Sequence, residues 1–120
     1  YFGWVRRSTL QDRLLIATKL KKTIEYIEKV TVNYPHAENV LKNKIIDTCY
    51  KLLELVYRSN IYKDMFYMKE ILVQIRMLEY FIKKSLDKKI INFRKYENIG
   101  NHLLELNKMV NAWIVSETSK

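Results

Sequence analysis

A chain of 120 residues, 48% of them hydrophobic, can bury one core, and its two glycines and one proline leave little material for the tight turns of an all-β fold. The lone Cys49 excludes an intramolecular disulfide and fits a reducing compartment, so a cytoplasmic location is expected. Twenty-two Lys and Arg against thirteen Asp and Glu leave +9, a surplus that favours polyanionic partners: nucleic acid, or an acidic membrane or protein surface.

Spacing predicts four helices with no low-complexity linker between them. The aromatic start, Tyr1 to Val5, precedes Arg6 and Arg7, which puts the charge on the wrong side for a secretory signal. Residues 1–9 read as an N-terminal arm of unassigned role. From about Thr9 to Asn33, Leu10, Leu14, Ala17, Leu20, Ile24 and Ile27 recur at steps of three and four, the period of one helix face. Ser8 or Thr9 can cap this helix, with Asp12 complementing its dipole. Tyr34-Pro35 ends it, because proline lacks a donor and pushes its predecessor out of the α region.

The second helix is expected over about Ala37–Ser59, with Leu41, Ile45, Thr48 or Cys49, Leu52 and Val56 inward. The third covers about Lys63–Leu86, with Met68, Ile71, Leu72, Ile75, Leu78 and Ile82 inward and a basic exit from Lys83 to Lys89 near the negative dipole end. The fourth starts near Lys95, with Asn92 or Phe93 at its beginning. It carries the clearest stripe: Tyr96, Ile99, Leu103, Leu106, Val110 and Trp113. Residues 116–120 form a short polar tail after a bundle spanning 10–115. Short connections between helices of similar length predict an all-α, antiparallel up-down-up-down four-helix bundle. No apolar run approaches the length of a membrane span.

The apolar faces are wider than one seam requires. Tyr50, Tyr57, Phe66, Tyr67 and Tyr80 add aromatic surface with one apolar and one wet end, as candidates for an oligomer or partner interface. The same girth also fits a broad core. Chemistry is sparse. Neither His36 nor His102 has a Glu three residues before it, as a di-iron bundle needs, and Cys49 lacks zinc-spaced neighbours. Arg94 and His102 stand too far apart for the Arg–His pattern of some helical RNases. No enzyme, cofactor or metal site is expected. Gly100, inside the fourth helix, reads as a point of close helix contact, at about 1 kcal/mol in propensity.

The charge is uneven: residues 1–34 hold seven basic and three acidic groups, and residues 63–91 hold seven and four. Candidate phosphate contacts on the first helix are Arg13, Lys19, Lys21, Lys22 and Lys29. On the third helix and its exit they are Lys69, Arg76, Lys83, Lys84, Lys88 and Lys89, followed by Arg94 and Lys95. Such residues neutralise phosphates without reading bases. The bland alternative is a solvated face, with Glu25–Lys29 and Glu79–Lys83 as i,i+4 pairs worth about 0.2–0.5 kcal/mol each.

In order, a helix ending in Tyr34-Pro35, then KIIDTCYKLLELVYRSN, IRMLEYFIKKSLDKKII and RKYENIGNHLLELNKMVNAWI resemble the Avd-type accessory proteins of diversity-generating retroelements. The likeness runs from about Lys19 to Ile114. It implies a basic homopentamer that binds a reverse transcriptase and its template RNA, supporting mutagenic cDNA synthesis and retrohoming without catalysing it. Asn111-Ala112 stands where that family often has Gly-Gly before the final Trp. A related bundle family, encoded within ribosomal RNA intervening sequences, gives the alternative: a structural or protein-interaction bundle that binds no nucleic acid. Its usual wording in the second helix is absent from this chain.

Overall fold

A computed structural model describes the backbone of residues 2–119 and the side chains of residues 14–119. Among these residues the chain forms four helices: α1 (Phe2–Thr31), α2 (Asn39–Tyr62), α3 (Met65–Asp87) and α4 (Phe93–Thr118), with a single 3-10 turn at His36–Glu38 before α2. Each helix packs on two neighbours, α1 on α2 and α4, α3 on α2 and α4, closing a four-helix bundle. Contacting residues run in opposite order on neighbouring helices. Lys21 and Glu28 of α1 meet Tyr57 and Tyr50 of α2, while Lys19 and Tyr26 meet Glu105 and Asn98 of α4.

The helix ends follow local chemistry. Asp64 caps α3 by accepting from the Phe66 N–H at 2.9 Å, and Asn92 caps α4 by accepting from Lys95 N–H at 2.8 Å. Helix α3 closes in a Schellman motif: Ile90 N–H donates to Ser85 O and Lys89 N–H to Leu86 O, both at 2.9 Å. That motif places Lys89 at φ 61°, a left-handed position usually given to glycine, and α2 ends in the simpler left-handed cap, with Lys63 at φ 54° donating its N–H to Ser59 O at 3.0 Å. The cap expected at Ser8 or Thr9 is not the start of α1. The helix already begins at Phe2, since no proline interrupts the stretch and extension of a formed helix is cheap.

The expected inner face of α2 is buried, and so is that of α4 from Ile99 to Trp113, the last only 1% exposed, while Tyr96 at its start is half-buried. Positions on α1 and α3 differ too, Ala17 being half-buried. Leu14 is 59% exposed, because the α1 seam runs through Ile16, Leu20, Thr23, Ile27 and Val30; Leu72 is half-buried beside the α3 seam. Thr23, Thr48 and Ser85 enter the core by donating their hydroxyls to the carbonyls of Lys19, Lys44 and Phe81 four residues earlier. Tyr34, the residue before Pro35, is buried and donates its hydroxyl to Ser85 Oγ at 2.8 Å, tying the end of α1 to α3. Burial pushes its pKa up against that hydrogen bond. The α1–α2 and α3–α4 connections therefore share one end of the bundle.

Candidate nucleic-acid and partner interface

That shared end is where basic side chains converge. Lys44 from α2, Lys84 from α3 and Lys88 just after it surround a depression of about 240 Å³ with Glu38, Leu41 and Phe81. Lys88 Nζ bonds Glu38 Oε2 at 2.9 Å, and Lys84 Nζ lies 6.0 Å from the Tyr80 ring centroid. Exposed Lys89 and Arg94 and half-buried Lys95 follow in the α3–α4 connection and the first turn of α4. Lys44 was not among the sequence candidates. It joins them only through the register of α2 on α3, which places the beginning of one helix against the end of the other.

The remaining basic candidates do not gather there. Lys19 is the most constrained: its side chain is 20% exposed, its ammonium sits 3.1 Å from Glu105 Oε2, and it also reaches His102 Nδ1 at 3.0 Å. An ammonium only donates, so Nδ1 accepts and the neutral ring carries its proton on Nε2. Burial and then the Lys19 charge hold the His102 pKa below its usual value, with Glu105 opposing. Lys21 lies 5.9 Å from the Tyr57 ring centroid, and Lys22 and Lys29 are exposed elsewhere on α1. Lys69 and Arg76 are exposed on α3, Arg76 within 3.8 Å of Glu79. The Arg13 side chain lies outside the described residues.

Two expected ion pairs are replaced. Lys83 bonds Asp87 at 2.8 Å rather than Glu79, which faces Arg76 instead, and Asp87 holds the Lys83 pKa above its usual value. Among the described residues Glu25 and Lys29 form no ion pair. These surface pairs add little stability.

The aromatic candidates occupy a different surface. Tyr50 and Tyr57, both more than two-fifths exposed, line a shallow depression of about 400 Å³ on α2 with Leu53, Glu54, Arg58, Ile61 and Tyr62. Tyr50 donates to Glu28 Oε2 at 2.8 Å, and that bond raises its pKa. Phe66 and Tyr80 are exposed on α3. Tyr67 is half-buried against the core, 5.9 Å from the Arg58 guanidinium. Ile61 and Tyr62 extend this surface beyond the sequence candidates; they lie in the last turn of α2, which was expected to end at Ser59.

The bAvd-like family profile matches residues 14–117 of this bundle, nearly its whole length. The chain belongs to the bAvd-like family. That membership makes it an Avd accessory protein of the retroelement type and implies interaction with retroelement components. Comparison with curated proteins finds none that matches. The Avd family is of an accessory, non-catalytic type. Cys49 is fully buried, its thiol pushed up to about 12 by burial and by the Glu28 charge, so little reactive thiolate forms at neutral pH. Among the described residues no group of His, Cys, Asp or Glu could hold a metal ion, and no helix is long and apolar enough to cross a membrane.

Gly100 departs from expectation. A β-carbon there would meet nothing within 4 Å, so close helix contact inside the bundle does not require the glycine.

Proposed function

We propose that this chain is a non-catalytic subunit that binds a reverse transcriptase and its template RNA and supports mutagenic cDNA synthesis, working as a homopentamer. The family match over residues 14–117 carries the reading. The basic end of the bundle supports its RNA half: Lys44, Lys84, Lys88, Lys89 and Arg94 come from two helices and a connection, and of these only Lys88 has an ion-pair partner among the described residues. Such a cluster neutralises phosphates with little sequence preference. The exposed aromatic surface of α2 supports the protein half, since tyrosines combine apolar area with a polar tip.

Two measurements test this. Co-purification with a reverse transcriptase encoded beside the chain, followed by mass measurement, should return a complex containing five copies of this chain. Recovery of a free monomer refutes the pentamer and the protein contact. RNA affinity across a salt series should fall steeply, and Lys44→Gln, Lys84→Gln and Lys89→Gln together should lower the log–log slope by about 2 for single strands while leaving the helical CD signal unchanged. A flat salt dependence would leave the structural-bundle alternative standing.

A further inference from the structure

A glycine weakens a helix relative to alanine, and Gly100 sits inside α4 with no contact that calls for it. It faces a groove of about 320 Å³ between α3 and α4. Buried Ile82 and Leu103 and the half-exposed Leu104 supply apolar surface, and Tyr96 adds a ring. Arg76, Glu79 and Asn107 bring polar groups to the same groove. Among the described residues neither the Asn107 amide nor the Tyr96 hydroxyl has a hydrogen-bond partner. The Arg76 side chain is 77% exposed, and its contact with Glu79 is long.

A mostly apolar slot with a few polar groups has the composition of a ligand site. Its particular groups match a nucleotide. The Tyr96 ring is a stacking surface for any base, the Asn107 amide offers both a donor and an acceptor to a base edge, and a guanidinium pairs with phosphate. Resting on the RNA-binding reading above, we infer that the α3–α4 groove takes one unpaired base of a single-stranded RNA segment, with Arg76 on the adjoining phosphate. Gly100 keeps free the volume the base ring enters. Paired RNA holds its bases inside the helix and presents phosphates and sugars, so it engages the lysines and not the groove.

The test is fluorescence anisotropy with a labelled single-stranded RNA of mixed sequence and a fully paired two-strand RNA duplex with blunt ends, using the unaltered chain, Gly100→Leu and Asn107→Ala. Because a β-carbon at 100 has open space, the leucine should project into the groove and leave the CD spectrum unchanged. Gly100→Leu should lose at least about fivefold in affinity for the single strand and keep its affinity for the duplex, with a smaller loss in the same direction for Asn107→Ala. Single-strand affinity unchanged in both variants overturns the proposal, and so does an equal loss on both RNAs. Single-strand binding kept while co-purified reverse transcriptase is lost would assign the groove to a protein segment, also overturning it. If the unaltered chain binds neither RNA, the RNA-binding reading itself fails, which is a different result from a groove that fails alone.

Discussion

Replacing Gly100 by alanine should stabilise the protein, and the geometry sets the size of the gain. Gly100 lies in the interior of α4, seven residues after its first and well before its last. There glycine is about 0.8–1 kcal/mol less favourable than alanine, because it loses more backbone freedom on folding. The added methyl group meets nothing within 4 Å, so no overpacking offsets that gain. For a chain of this size the gain corresponds to about 3–5 °C in the melting temperature. Guanidinium unfolding followed by far-UV CD should show the midpoint rising with an unchanged slope, the sign of a stability change without a change in compactness. A lowered midpoint would mean that the methyl strikes α3, that the groove is closed in solution, and that the account of Gly100 is wrong. A gain would show that the chain carries this glycine at a cost to its own stability, which turns attention to what enters the groove.

Two further outcomes follow from the helix ends and from the α1–α4 seam. Lys89→Gly should raise stability by about 1 kcal/mol, since an L-residue at positive φ costs roughly 1–2 kcal/mol, while weakening RNA binding through the lost charge. Lys63→Gly at the other end of α3 should add independently, and denaturant midpoints of the single and double variants check this. Lowering pH should destabilise the fold through His102, whose ring faces Lys19, Glu105 and Tyr26. Its folded pKa is depressed, so below the unfolded value of about 6.5 the unfolded state binds more protons. The contribution is complete above that value and is lost as pH falls toward the folded pKa. Melts at pH 7.5 and pH 5 should therefore differ less in His102→Gln than in the unaltered chain.

The stripe from Ile99 to Trp113 was legible in the sequence because each of its inward positions is apolar and none competes for the face, whereas Tyr96 at its start is half-buried at the edge of the α3–α4 groove. Helix α1 was less so. Leu14 and Ile16 are two residues apart, about 200° around a helix, so only one of them can face the core. The pattern through Leu10 and Leu14 hid the true seam because Thr23 fills a position that hydropathy leaves blank. Its hydroxyl is satisfied by the Lys19 carbonyl, which makes a polar residue acceptable there. The same limit applies to the candidate site. Lys84 and Lys88 could be read from a basic run, but Lys44 joins them across a helix pair, and register between helices is not written in either helix alone.

Charge content and charge availability also differ in this bundle. Lys19 and Lys88 look alike in sequence, and each has a carboxylate partner. Lys88 is 45% exposed and has one partner, the carboxylate of Glu38, whose side chain is 21% exposed. Lys19 is held from two sides by Glu105 and by an imidazole nitrogen that can accept only while His102 is neutral. Drawing Lys19 out to a phosphate would leave both His102 Nδ1, in a half-buried site, and Glu105 without a donor, whereas Lys88 gives up one partner and starts from a more exposed position. Phosphate contact should therefore concentrate at the end of the bundle formed by the two connections, and Lys19 belongs to the packing of α1 against α4.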